Sequence, residues 1–306
     1  MEPVLQIRQL VKRYRGMDQP VLRGMDMTIL PGERYGFLGP NGTGKTTTVS
    51  ILSGLLVPDS GEVFVLGNKM PDKRKQVTTQ IGVVPQNIAL FPELTALENL
   101  RIFGSMYPIT ASRLKQRIHQ LLELYGLTAF ARKPVKTFSG GMKRSLNIIA
   151  GILHEPKFLL LDEPTVGIDV QTKALILDNL RQLNEEGTTI LYTSHDMDEA
   201  QHFCTRVGII DHGKLIAEDT PAALIHSCPD CENLESVYLH LTGKSLLNKR
   251  NVQIHRPSLQ RFSAAAPRQG GAAVPVPDAH GLGAGNDRHA RRRVQQPRGQ
   301  AHRPDH

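Results

Sequence analysis

Two glycine-rich stretches carry residues suited to gripping phosphate. The first is "GPNGTGKT", Gly39 to Thr46, with Thr47 directly behind it. It fits G-x-x-x-x-G-K-[ST], in which glycines let backbone N–H groups turn inward around phosphate oxygens. A helix starting there adds the positive end of its dipole. On this pattern Gly39, Pro40, Asn41, Gly42, Thr43, Gly44, Lys45, Thr46 and Thr47 make a nucleotide cradle. Lys45 reaches the β- and γ-phosphates, and the Thr46 hydroxyl ligates Mg²⁺. An ordinary glycine turn is the bland alternative, but the apolar "RYGFLG" (34–39) leads into the loop and a helical pattern leaves it. The second stretch is "TFSGGMKRS", 137–145, where Ser139, Gly140 and Gly141 open another helical run.

Acidic chemistry comes from "FLLLDEP", 158–164. A short apolar strand would leave Asp162 at its C-terminal end, where ligands sit in parallel sheets. Asp162 can hold Mg²⁺ through water. Glu163, one residue on, is placed to act as general base on a water attacking a γ-phosphate. His195 in "YTSHDMDEA" and Gln86 in "IGVVPQ" each end a further apolar run. Each alone reads equally well as structural; together with the first cradle they converge on one sheet edge. Tyr14 in "VKRYRG" could stack on adenine or lie as a surface tyrosine on an edge strand, and both readings stand.

The elements that must position these residues alternate. β-prone runs fill 3–37, with a Pro-Gly turn at 31–32. A helix is expected over 45–56, then strands at 62–67 and 81–86. Helical spacing covers 95–127 and a further helix about 140–153. Strands at 157–162, 188–194 and 206–211 are separated by helical runs. This is α/β order with a parallel sheet, interrupted by a helical insertion from about 87 to 155.

Composition narrows the class. Residues 247–306 hold 11 Lys/Arg and 3 Asp/Glu of the chain's 37 and 29, so residues 1–246 carry 26 of each and are neutral. A neutral body gives no general argument for nucleic acid as a partner, and none is expected. No run of 18 apolar residues encodes a membrane span, and the start lacks the look of a signal peptide. The three cysteines do not make a disulfide framework. "CPDC" at 228–231 has CxxC spacing, with His226 close by, and is expected to be two reduced thiols near a surface turn rather than a metal or redox pair. The segment 247–306 has no periodicity and cannot bury enough surface to fold. It reads as a disordered basic tail that touches anionic lipid or RNA, or as a frameshift artefact, since a GC-rich gene read out of frame gives this composition.

Two cradles in one chain pose a problem of geometry. If both served one nucleotide, the insertion would have to fold over the sheet. The economical alternative is that Ser139 and Gly141 serve a nucleotide held by a second copy, head to tail, in a closed two-fold arrangement.

The ordered set of motifs resembles the ATP-binding cassette (ABC) family over about residues 4–246. Tyr14 looks like the adenine-stacking A-loop residue, Gly39–Thr46 like Walker A and Gln86 like the Q-loop. Ser139–Met142 looks like the signature, Phe158–Asp162 like Walker B and Glu163 like the catalytic glutamate. Asp169 in "VGID" looks like the D-loop and His195 like the switch histidine. The resemblance implies a P-loop NTPase core with a parallel sheet, an antiparallel β subdomain and an inserted α-helical subdomain. It implies ATP and Mg²⁺ as cofactors, with Thr46, Gln86 and Asp162 as the metal set and Glu163, His195 and Gln86 as the catalytic set. It further implies a homodimer that powers a separately encoded membrane permease from the cytoplasmic face of the inner membrane. The usual L-S-G-G-Q is "FSGGM" here, and Met142 looks like the subgroup that pairs with type-2 exporter permeases. Leu90 and Phe91 are candidates to touch that permease, or are insertion core. A soluble ABC ATPase acting on ribosomes or DNA is the alternative; a P-loop kinase or switch leaves "SGGM" and His195 unexplained. Removing 247–306 is expected to leave ATP turnover intact, and a lost activity in the truncated protein would make the tail functional.

Overall fold

The computed structural model describes residues 2–243. The expectations for 247–306 lie outside the described residues.

An antiparallel sheet opens the chain. It is built from β1 (Leu5–Lys12), β2 (Leu22–Ile29), β4 (Ser60–Val65) and β5 (Asn68–Met70), in the order β2-β1-β4-β5. The central sheet runs β10 (Lys214–Asp219), β9 (Arg206–Asp211), β3 (Arg34–Leu38), β8 (Thr189–Ser194), β7 (Phe158–Asp162), β6 (Ile81–Val84). The four pairings from β9 to β6 are all parallel, and β10 closes one edge antiparallel to β9.

Every residue of β7 and β8 is buried, as expected of parallel strands covered on both faces. The period-2 alternation of a strand then feeds two cores. Phe158, Leu160 and Leu191 join the side of the antiparallel sheet and α1 (Lys45–Leu52). Leu159, Leu161, Ile190 and Tyr192 join the helical side. That side holds α3 (Ala96–Ser105), α4 (Ala111–Leu124), α5 (Gly140–Ile152), α6 (Val170–Glu185), α7 (Met197–Phe203), α8 (Pro221–Ser227) and α9 (Leu234–Thr242). The short α2 (Arg74–Thr78) leads into β6. Helix starts are set by capping side chains: Thr95 with Glu98 in a capping box on α3, Thr110 on α4, Ser139 on α5 and Asp169 on α6.

Several boundaries differ from the sequence expectation. α1 stops at Leu52 because Gly54 takes φ +72°, and the N–H groups of Leu55 and Leu56 fold back to Ser50 O. The strand at 62–67 turns at Leu66 and Gly67, both with positive φ, into the hairpin partner β5. The expected pair of reduced thiols is corrected: Cys228 and Cys231 are joined as a disulfide, their Cα atoms 5.5 Å apart across the turn after α8. Cys204 is buried and free. Among the described residues no helix is long and apolar enough to cross a membrane.

β6 matters because Gln86 follows it. It lies against α5 through glycines: a Cβ on Gly82 would sit 2.3 Å from Gly151 O, and one on Gly151 2.7 Å from Val84 Cγ2. There is no room for a methyl group at Gly82, where the contact is with backbone. Gly82→Ala is therefore expected to destabilise the protein by about 1–3 kcal/mol, read as a lower urea midpoint at unchanged slope.

Candidate active site

The site follows from strand register. Leu38 of β3 lies opposite Ser194 of β8, and Thr193 of β8 opposite Asp162 of β7. Val84 of β6 pairs with Leu161 of β7. The four C-terminal ends are level, so Gly39, His195, Glu163 and Gln86 all leave the sheet on the same edge. This is where an open parallel sheet presents its loops to ligand.

The loop after β3 is a tight cradle. Gly42 and Gly44 adopt φ +84° and +111°, which side chains resist. A Cβ at Gly39 would sit 2.4 Å from Ile210 O. Thr43 donates its hydroxyl to Pro40 O at 2.9 Å and closes the turn. α1 begins at Lys45, with its free N–H groups facing the loop. The Lys45 ammonium, only 5% exposed, donates to Gly39 O at 2.7 Å and Pro40 O at 3.1 Å. It also pairs with Glu163 Oε1 at 3.3 Å.

Glu163 is the meeting point. Gln86 Nε2 donates to its Oε2 at 3.2 Å, and His195 Nδ1 lies 3.3 Å from the same oxygen. Its backbone takes φ +47°, a left-handed conformation that costs a non-glycine residue on the order of 1 kcal/mol or more. Thr193 holds it there: the Glu163 N–H donates to Thr193 O at 3.2 Å and to Thr193 Oγ1 at 3.1 Å. The same hydroxyl donates to Asp162 Oδ1 at 2.7 Å. One buried threonine thus orients both carboxylates.

A hollow of about 400 Å³ lies over this edge, lined by Tyr14, Asn41, Gly42, Gly44, Lys45, Thr46, Thr47, Gln86 and Glu163, with Met17 and Val21. Tyr14 is 40% exposed and its hydroxyl is 3.2 Å from Thr47 Oγ1. Ring, loop and carboxylate are arranged as a base, a phosphate chain and its terminal phosphate would need. Pro40, Asn41 and His195 also border a second hollow of about 530 Å³ shared with Tyr238 and Leu239 of α9. The donors expected for Mg²⁺ are a hydroxyl, an amide and the buried carboxylate of Asp162, an all-oxygen set of the kind a hard cation takes.

Ser139, Gly140, Gly141 and Asp169 line neither hollow. They share a different face. A Cβ on Gly141 would meet Thr172 Oγ1 at 2.8 Å. Thr172 in turn gives its N–H and hydroxyl to the Asp169 carboxylate at 2.9 and 2.7 Å, and these two bonds hold Asp169 below the usual carboxylate range. Ser139, Gly140 and Asp169 are exposed, as are the apolar Val166 and Val170 beside them.

The sequence reading missed the residues that hold Gln86. Arg144 of α5 donates to Pro85 O at 3.2 Å and Gln86 O at 2.7 Å. Asn147, one turn on, donates to Pro85 O at 3.4 Å and accepts from Ala89 N at 3.1 Å. Burial lowers the Arg144 guanidinium pKa, opposed by the charge of Asp162. A buried Arg and Asn at helical spacing after Gly141 were the only signal. Thr193, inside an apolar strand run, gave none. Of the two permease-contact candidates, Leu90 is partly buried against the helical core, while Phe91 is 47% exposed and held at both backbone atoms by Asn99.

Comparison with known proteins agrees with this architecture. The family described as "ABC transporter" matches residues 22–166. The linearmycin resistance ATP-binding protein LnrL of Bacillus subtilis (strain 168) is 46% identical, covering 86% of this chain and 86% of that protein. Nod factor export ATP-binding protein I of Cupriavidus metallidurans is 40% identical, covering 77% of each. A solved dimeric post-hydrolysis state of an ATP-binding cassette bound to ADP and Pi aligns with a TM-score of 0.65 at 28% identity, over 71% of this chain and 98% of that one. The chain belongs to the ABC transporter family. It is an ATP-binding subunit of such a transporter, and its enzymatic activity is ATP hydrolysis coupled to transport.

Thr193→Val keeps the shape of the strand and removes the shared hydroxyl. It is expected to cost about 1–3 kcal/mol in denaturant unfolding and to lower ATP turnover at saturating nucleotide. Unchanged turnover would separate Thr193 from the positioning of Glu163.

Proposed function

We propose that this chain powers an exporter: two copies bind two ATP molecules between them at the cytoplasmic face of the inner membrane and drive a separately encoded permease of the type-2 class. The observation that carries this reading is the split of the phosphate-binding residues. Lys45, Gln86, Glu163 and His195 converge in one place, while Ser139, Gly140 and Asp169 form an exposed surface with Val166 and Val170 elsewhere, backed by the buried Gly141. A second copy placed head to tail completes each hollow with the other's signature. One solved relative is dimeric with ADP and Pi. Two curated relatives are named for linearmycin resistance and for Nod factor export, which supports outward transport. The alternative of a cassette acting on ribosomes or DNA is not favoured by either name.

Within the sandwich, Tyr14 stacks on adenine, and the loop from Gly39 to Thr47 wraps the phosphates. Lys45 leaves its carbonyl partners and Glu163 for the β- and γ-phosphates, which are better acceptors for an ammonium. Thr46, Gln86 and Asp162 would hold a Mg²⁺ ion, which would supply charge neutralisation on the phosphate oxygens. Glu163, released from Lys45, takes a proton from the attacking water. The water oxygen bonds to the γ-phosphorus as the bond to the ADP oxygen breaks. His195 holds Glu163 and meets the γ-phosphate edge, and the partner's Ser139 caps the same group with the N–H groups at the start of its helix.

Glu163→Gln tests this. ATP binding is expected to survive, turnover to fall by about 10²-fold or more, and light scattering in saturating Mg·ATP to give twice the monomer mass. A monomer under those conditions would sink the sandwich. Purified from native membranes in detergent, the same variant is expected to bring down a polytopic membrane protein in about equal amount.

A further inference from the structure

The turn that carries "CPDC" is built against α9. Asn233 and Ser236 cap that helix in a capping box, and the Ser236 hydroxyl accepts the N–H groups of Glu232 and Asn233, both at 3.1 Å. The turn after Cys231 is thereby tied to the first turn of α9. Leu234, Val237 and Tyr238 point into the core. The other face, with Ser236, Leu239, His240 and Gly243, borders a hollow of about 380 Å³ whose far wall is Pro229, Asp230 and Cys231. The imidazole brought to the pair is that of His240 on the helix. The ligand atoms of Cys228, Cys231 and His240 all lie within 4.8 Å of one another.

We infer that Cys228, Cys231 and His240 form a binding site for a zinc-class divalent cation when the two cysteines are reduced. Two thiolates and an imidazole are the donors such a cation selects, and C-x₂-C spacing places two thiolates on one side of it. With metal–sulfur bonds of about 2.3 Å and metal–nitrogen bonds of about 2.0 Å, tetrahedral edges run to about 3.5–3.8 Å. The three donors are gathered within reach of such an ion, and the two sulfurs, bonded to each other in the oxidised pair, part to span one edge once that bond is reduced. The disulfide and the metal exclude one another, because each sulfur must be a free thiolate to bind. Binding to the reduced pair releases two protons, one from each thiol, and requires no electron transfer. A fourth ligand, such as water, would complete the set from the neighbouring hollow. The donor sets also keep two cations apart: oxygen ligands at the nucleotide edge suit Mg²⁺, whereas sulfur and imidazole discriminate against it. Cys204, buried in the core, is out of reach.

Cobalt(II) gives the test, since it occupies such sites and reports thiolate ligation by charge-transfer absorption in the near ultraviolet. The full-length protein is reduced with a phosphine, its free thiols are counted, and Co²⁺ is titrated in, followed by competition with Zn²⁺. The expected result is one equivalent of Co²⁺ with thiolate charge-transfer bands, displaced by Zn²⁺ and not by millimolar Mg²⁺. Cys228→Ser with Cys231→Ser is expected to abolish the bands, and His240→Ala to weaken binding at least about tenfold, the usual scale for an impaired metal site. Circular dichroism of each variant establishes that it is folded. Absence of the bands in the reduced, folded protein would overturn the site, as would bands that persist in the double serine variant. Binding unaffected by His240→Ala would overturn the assigned ligand set.

Discussion

A lysine ammonium and a glutamate carboxylate, both almost wholly removed from water, face each other at the end of the central sheet. Lys45 is 5% exposed and Glu163 4%. Burying two charges costs several kcal/mol each unless their remaining hydrogen-bonding capacity is met. Here it is met from every side. Carbonyls of the glycine loop take the ammonium, while Gln86 and His195 take the carboxylate. The pair and these partners together follow the ends of four strands, so the pair forms only if four strand ends are in register. The sheet, its two cores and the glycine contacts between β6 and α5 all serve that alignment. Breaking one contact while keeping the charges would leave a buried ion with nothing to compensate it.

The same pair explains why the site is built under tension. Glu163 occupies a left-handed backbone position, and Thr193 holds it there through its carbonyl and its hydroxyl. The carboxylate is thereby turned back over the loop instead of following the strand outward. Behind it, Tyr192 and Thr165 both bond to Glu199, and Glu199 pairs with Lys173 of α6 at 2.6 Å. Burial first, and then the Glu199 charge, push the Tyr192 phenol well above its ordinary range, so the tyrosine keeps its proton.

Much of this was legible from spacing. Glycines at fixed intervals before Lys45, two acids after an apolar run, and a Gln and a His at the ends of two further runs all arrive at one edge. Apolar runs read as parallel strands because both faces of β7 and β8 are covered. Other features depended on weaker signals. "DHGK" (211–214) is a two-residue hairpin, with His212 and Gly213 at positive φ, and the pattern was there to be read as the start of β10. Arg144 and Asn147 look like ordinary residues of an amphipathic helix. Only the tertiary approach of α5 to the loop after β6 turns them into a clamp. The cysteine pair could not be resolved because its third neighbour, His240, comes from a helix that the sequence pattern did not single out.

α5 joins two of these places in one rigid body. Its first residues follow the Ser139 cap, and the Arg144 and Asn147 side chains, one to two turns along, grip the backbone around Gln86. A helix this short does not bend appreciably over that distance. Any push on the Gln86 loop therefore tilts the Ser139 end as well. In the proposed pair of subunits that end addresses the nucleotide of the other copy. Each subunit would then feel a disturbance at its own sheet edge as a change in its neighbour's grip on ATP. The two hydrolytic events would be cross-wired, and neither site could keep time independently of the other.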